Sequence, residues 1–269
     1  MGAPEPIAVV TGASSGIGAA LARAYAARGW RLLLAGRRAA ALDATARDCA
    51  ALHGTAVVDP ARLRLAVGDL RDTAAWRAKA AALLRDWGCP QVVIANAGIS
   101  HGVDLAHAAD LDVARAIMES NWSAALGTLQ PFVAPMRARG SGRLVGIASV
   151  AGVRGLPGHA AYSASKAALA RSLESLRVDL RGSGVRVVTI HPGYVVTPMT
   201  AANPFAMPFL LDADRFARRA LRAIDSGRAR ATIPWQMALL GGLLHVLPSA
   251  LYDPLMARAG RKPRQPPGE

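Results

Sequence analysis

Tyr162 and Lys166 stand four residues apart in the stretch YSASK, inside an Ala- and Leu-rich run of helical periodicity. A helix puts both on one face. A phenol titrates near pH ~10 in water and transfers few protons at neutrality. An ammonium beside it favours the phenolate and lowers that value. Tyr162 can then act as general acid in carbonyl reduction and as general base in alcohol oxidation. The pair alone carries little weight, because Tyr and Lys at this spacing are common on exposed helices. His159, three residues before the tyrosine, is a rival base. It reads better as a loop or substrate-pocket residue, since the Tyr–Lys pair already supplies the proton chemistry.

The second group that could do chemistry is TGASSGIG, residues 11–18, directly after the apolar run IAVV. Glycines let a backbone approach a pyrophosphate with no Cβ in the way. The free N–H groups and positive dipole end of a following helix face the anion. A tight structural turn is the competing reading of the same residues.

These residues need elements to hold them. Short apolar runs at 6–11, 31–35, 63–67, 91–95, 143–148, 185–190 and 229–233 read as strands buried on both faces. Segments 16–28, 39–52, 72–87, 110–138, 162–181 and 212–226 carry helical periodicity. Strict alternation of the two predicts an α/β fold, a doubly wound parallel sheet with helices on both faces. In such a sheet ligands bind at the carboxyl ends of the strands, where TGASSGIG falls. Residues 194–211 form a long, Pro-containing apolar loop, and long loops in compact domains are mostly functional.

Further motifs follow in order: Asn96, Ala97 and Gly98 (NAG) after the fourth strand, Asn121 in the next helix, Ser149 in IASVAG thirteen residues before Tyr162, and HPGYVVT at 191–197. With the G-x-x-x-G-x-G spacing of Gly12, Gly16 and Gly18, the chain resembles the compact, single-domain branch of the short-chain dehydrogenase/reductase family over residues 7 to about 200. The resemblance implies a seven-stranded Rossmann-type sheet and an oxidoreductase acting on CH–OH or C=O groups. Its catalytic residues would be Ser149, Tyr162, Lys166 and Asn121. Ser149 would hydrogen-bond the substrate oxygen, Lys166 would also hold the nicotinamide ribose, and Asn121 would anchor a water near Lys166 through its main chain. One departure is visible: the family often has two asparagines before AG, and here the pair is Ala95-Asn96. What is lost is a supporting hydrogen bond.

The resemblance assigns Gly12, Ser14, Ser15, Gly16, Ile17 and Gly18 to the cofactor's phosphates. It adds Asp69 and Leu70 at the adenine and Asn96, Ala97 and Gly98 beside the cradle. Tyr162 and Lys166 join at the ribose, with Pro192, Gly193, Val195 and Thr197 toward the carboxamide. The second strand ends LLLAGRR. An acidic residue there would accept from the adenosine ribose 2′-OH, but Gly36 holds that position and Arg37 and Arg38 follow. A guanidinium suits a 2′-phosphate, and Ser14 adds a hydroxyl. NADP(H) is therefore the expected cofactor. The alternative is that Arg37 merely opens a solvated helix.

The 269 residues carry a formal charge of +14, mostly as scattered arginines. No basic run interleaved with aromatics suggests nucleic-acid binding. Cys49 and Cys89 have neither disulfide-framework nor metal spacing, which suits a cytoplasmic setting and no metal. No signal peptide is evident, and Met1-Gly2 lacks the Ser or Thr a myristoylation signal needs. Residues 1–230 read as the catalytic domain, and 231–269 as an apolar extension of it with a basic tail. Residues 231–252 contain no Asp, Glu, Lys or Arg, and Arg258, Arg261, Lys262 and Arg264 follow. Three readings stay open for this extension: packing over the site or a subunit interface, peripheral contact with a membrane surface through 231–264, and a true span. The last residues, 261–269, read as disordered. An apolar, lipid-like substrate and a homodimer or homotetramer are expected. The rival reading is a non-catalytic NADP-binding sensor or a membrane-associated scaffold.

Overall fold

The computed structural model describes residues 5–201 and 203–264. Its centre is a seven-stranded, fully parallel sheet in the order β3-β2-β1-β4-β5-β6-β7. The strands are β1 (Ile7–Thr11), β2 (Arg31–Gly36), β3 (Leu63–Val67), β4 (Val92–Ala95), β5 (Gly142–Ile147), β6 (Val185–Pro192) and β7 (Arg230–Ile233). Successive residues of β1 serve opposite cores. Ala8 and Val10 pack with α1 (Gly16–Ala26), α2 (Ala39–Leu52) and α8 (Ala213–Asp225). Ile7 and Val9 pack with α3 (Thr73–Asp86), α5 (Ala124–Arg139) and α6 (Ala160–Asp179). Both faces are covered, so the inner strands are apolar runs without alternation.

The chain leaves β1 for β2 on one side, and β4 pairs with β1 on the other. The loops after β1 and β4 therefore diverge, and a crevice opens at their carboxyl ends. Two helical segments differ from expectation. The helix read over 110–138 is α4 (Asp110–Met118), a π-turn (Glu119–Ser123) and α5. The widened turn carries Asn121 into the interior, where its side chain bonds other segments. The apolar run 231–252 is not continuous either: after β7 come α9 (Gln236–Val246) and α10 (Ser249–Ala257). Leu247 takes extended backbone before Pro248, the conformation a following proline favours. Each piece is far shorter than the ~20 residues a span needs. Among the described residues no helix is long and apolar enough to cross a membrane.

The basic tail is ordered as far as it is described. Arg264 donates to both carboxylate oxygens of buried Asp110, each at 2.8 Å. Arg261 pairs with Asp104 at 2.9 Å, and the Lys262 ammonium donates to Asn203 at 2.6 Å. Disorder is thus not what 261–264 adopt, because three side chains find partners on distant loops. Residues 265–269 and Met1-Gly2 lie outside the described residues. The short helix α7 (Pro198–Ala201) follows β6 within the loop 194–211.

Candidate active site

The turn after β1 is built for backbone approach. Gly12 and Gly16 have φ of +65° and +55°, values that L side chains rarely adopt. A Cβ on Gly12 would lie 2.8 Å from the Ala97 Cα, and a Cβ on Gly18 would run into the carbonyl of Gly12. The turn is clasped to the loop after β4. Asn96 Nδ2 donates to Thr11 O at 2.9 Å, and its N–H donates to Thr11 Oγ1 at 3.0 Å. Thr11 Oγ1 donates in turn to Ile94 O. Ala95, in the place of the expected asparagine, is simply a buried strand residue.

A cleft of about 460 Å³ runs across the carboxyl ends of the strands. Gly12, Ser14, Ser15, Gly16 and Ile17 form its floor, Arg37, Arg38, Asp69 and Leu70 close one end, and Asn96, Ala97 and Gly98 form a side. Tyr162, Lys166 and Thr197 stand at the other end. Gly18 lies beneath the turn rather than on the wall. Pro192, Gly193 and Val195 are not brought to the wall: the Gly193 N–H is bound to Ile233 O, and Val195 is buried against Leu211. Sequence reasoning passed over Ser120 and Met199, which do line the cleft. Each neighbours a residue it had singled out or a quoted motif.

At the end of the cleft beside β2, Arg38 reaches the cradle, donating to Ser15 Oγ at 2.7 Å and Ser14 Oγ at 3.4 Å. Arg37 lines the cleft nearby. Asp69 accepts from Arg71 at 2.7 Å, which holds its carboxyl below the usual range.

At the opposite end, Lys166 is buried and donates to Ile147 O at 2.9 Å. Burial lowers its pKa to about 8. Its Nζ lies 5.8 Å from the centre of the Tyr162 ring. Burial raises the Tyr162 pKa, and the Ser149 hydroxyl beside it acts the other way. The expectation that the ammonium depresses the phenol is not met in the structure: Lys166 donates to a carbonyl, and desolvation dominates at Tyr162. Ser149 Oγ accepts from Ala151 N at 3.1 Å at the start of a 3-10 turn, Val150–Gly152.

Asn121 is fully buried. Its side chain accepts from Ile99 N at 2.8 Å and donates to Ile99 O at 2.9 Å and Ser165 Oγ at 3.0 Å. It ties the loop after β4 to the helix that carries Tyr162. His191 was missed, although HPG was noted. It is buried, its pKa is lowered to about 4 by burial, and its Nδ1 lies 3.2 Å from Ser149 O. Neutral at physiological pH, it donates there and holds the Ser149 backbone. His159 Nδ1 lies 2.9 Å from Pro157 O, with its ring 6.0 Å from that of Tyr162 and 6.2 Å from that of Phe205. It is nearly buried where α6 begins and is not among the residues that line the cleft. Among the described residues no group of His, Cys, Asp or Glu is placed to hold a metal.

Residues 6–206 match the family model described as short chain dehydrogenase. An oxidoreductase of Myxococcus xanthus, itself described as uncharacterized, is 43% identical over 246 residues, 91% of this chain and 94% of the relative. The 2-(R)-hydroxypropyl-CoM dehydrogenase of Xanthobacter autotrophicus is 35% identical over 197 residues, covering 72% of this chain and 76% of the relative. The alcohol dehydrogenase of the archaeon Thermococcus sibiricus, solved in complex with 5-hydroxy-NADP, superposes with a TM-score of 0.72 at 25% identity, over 85% of this chain and 94% of that one.

Proposed function

The chain belongs to the short-chain dehydrogenase family, and from that premise we propose that it is an NADP(H)-dependent oxidoreductase acting on a carbonyl or secondary alcohol of an apolar, lipid-like substrate. The observation that carries this reading is the cleft itself. Its floor is a glycine turn with no room for a Cβ, and one end presents Tyr162 and Lys166 with Ser149 beside them. When bound, the nicotinamide supplies or accepts the hydride.

The residues present fit NADP(H). Gly12 and Gly16 expose backbone N–H groups at the amino end of α1, where an anion is favoured. Arg37 and Arg38 stand where a 2′-phosphate would lie, and no carboxylate occupies Gly36's position to accept a 2′-OH. The Thermococcus enzyme's 5-hydroxy-NADP complex supports the same choice. Tyr162 donates a proton to the carbonyl oxygen during reduction and removes it from the alcohol during oxidation. Ser149 holds that oxygen as charge develops on it. Lys166 holds the ribose and, once turned from Ile147 O, favours the phenolate. Asn121 positions the backbone around Lys166, where a water can complete a proton path.

The apolar substrate is argued from the loop 194–211, with Met199, Phe209 and Leu210 exposed. A non-catalytic sensor would have no use for the Tyr–Lys–Ser set, so its presence favours the enzyme. A cytoplasmic setting, one domain with the extension 231–264 folded onto it, and a homodimer or homotetramer complete the proposal. The test is NADPH oxidation against carbonyls graded by chain length and ring size, with NADH and Tyr162→Phe run in parallel. Turnover that needs NADPH, rises with apolar size and disappears in the variant supports the reading. Binding of NADPH without turnover of any carbonyl favours the sensor.

A further inference from the structure

The two helices after β7 leave an unusually apolar surface. Trp235, Leu239, Leu243, Val246, Leu251 and Leu255 are between 50% and 73% exposed. Trp235, Leu239 and Leu243 recur at four-residue spacing and Val246 three residues further on, so α9 turns one continuous stripe outward. Its inner side is thin: Met237 packs against Gly193, and Gly241 approaches Val153. Soluble monomers rarely leave contiguous patches of this kind open.

The pair is nonetheless seated firmly. Arg154 donates to the carbonyls of Leu244 and Leu247 at the carboxyl end of α9, and its guanidinium stacks 3.7 Å over the Tyr252 ring of α10. The Tyr252 hydroxyl donates to Gly155 O. The exposed leucines therefore project from a fixed platform.

Charge decides what covers them. A groove of about 490 Å³ beside the stripe is lined by Arg219, Arg222 and Arg228 together with Trp235 and Gln236. Two of the acids of α8 are already engaged, Asp214 by Arg23 at 2.7 Å and Asp225 by Arg28 at 2.8 Å. Among the described residues no carboxylate pairs with the three groove arginines. With a formal charge of +14 on the whole chain, a second copy would bring the same positive groove toward this one. A surface that is apolar beneath and negative at its rim satisfies both features. A tryptophan at their junction suits the boundary between them.

We propose that α9 and α10 dock on an anionic lipid surface, with Trp235, Leu239 and Leu243 entering the acyl boundary and Arg219, Arg222 and Arg228 meeting headgroup phosphates. Docking does not depend on the catalytic reading. Its use does rest on that reading, because α9 packs against Gly193 and Val153, flanking the loops that carry Thr197 and Ser149, and a lipid-like carbonyl would then have a short route to Tyr162.

The test is cosedimentation of the full chain with vesicles of phosphatidylcholine alone, or of phosphatidylcholine and phosphatidylglycerol in equal parts. NADPH binding, turnover and thermal melting are read on the same preparations. The wild type should pellet with the mixed vesicles and be released by salt. Leu239→Glu/Leu243→Glu should lower vesicle affinity about tenfold or more. Arg219→Ser/Arg222→Ser/Arg228→Ser should do the same on mixed vesicles only. All should melt and bind NADPH like the wild type. A wild type that stays in the supernatant, or variants that pellet equally well, overturns the proposal. So does a lipid-free mass that halves in the leucine variant while the wild type ignores vesicles, which assigns the face to a second copy. Turnover without vesicle binding refutes docking alone, and vesicle binding without turnover refutes the catalytic reading alone.

Discussion

The turn after β1 and the segment after β7 lie at opposite ends of the chain and are built by opposite means. The turn is backbone against backbone: Gly18 sits where any Cβ would strike the Gly12 carbonyl, and Asn96 and Thr11 clasp the two loops with short hydrogen bonds. The tail is held by side-chain tips. Arg264 reaches Asp110, Arg261 reaches Asp104, Lys262 reaches Asn203 and Arg154 reaches the carbonyls of α9. Backbone geometry cannot be altered without losing the ligand's place, whereas side-chain ties can be changed one at a time. The difference teaches where this chain keeps its chemistry fixed and where it can vary what it recognises.

The contrast is tested most severely at the cofactor end. Tyr162→Phe removes the proposed proton donor and should cut turnover by about 10²–10⁴-fold, while NADPH titration gives an unchanged affinity. Gly18→Val should abolish measurable NADPH binding, because the Gly12 backbone has nowhere to move; fluorescence titration that finds wild-type affinity would break the comparison. Arg38→Glu should lose roughly tenfold to a hundredfold in NADPH affinity, as one charge-assisted contact is removed, and change NADH affinity little.

Smaller effects belong to the tail. Arg264→Met should leave NADPH affinity intact, lower the melting temperature and expose the C-terminal segment to limited proteolysis. The same tie has a pH signature. Arg264 holds the Asp110 carboxyl below its usual value, so the stabilisation is complete above the unfolded carboxyl's pKa of about 3.9. It is lost only as pH falls through the lower folded value. Protease sensitivity of the tail should thus be flat from neutrality down to about pH 4 and rise below it. At the alkaline side, carbonyl reduction should decline as pH passes about 8, where buried Lys166 loses its proton; a flat profile to pH ~10 would remove Lys166's charge from the account.

The two regions also differed in how far they could be read from residues alone. β1, β2 and β4 were legible because strands covered on both faces are uninterrupted apolar runs, and the cradle was legible because its glycines are local. The π-turn at Glu119–Ser123 was not, since it is held by Asn121's bonds to Ile99 and Ser165, 22 and 44 residues away. The order of the tail was hidden for the same reason: Asp110 is separated from Arg264 by 154 residues, and a run such as RKPR reads as solvated until its partners are known. His191 was within reach, in HPG, but its service to the Ser149 carbonyl requires the β6 register against β5.

The central claim is that Tyr162 moves the proton while NADP(H) carries the hydride. The most direct measurement is a single-turnover experiment with enzyme in excess over NADPH and a saturating apolar ketone, following the loss of reduced-nicotinamide absorbance in wild type and Tyr162→Phe. The account predicts rapid loss in the wild type and, at equal NADPH occupancy, a rate at least about a hundredfold slower in the variant. Equal rates in the two proteins would contradict it.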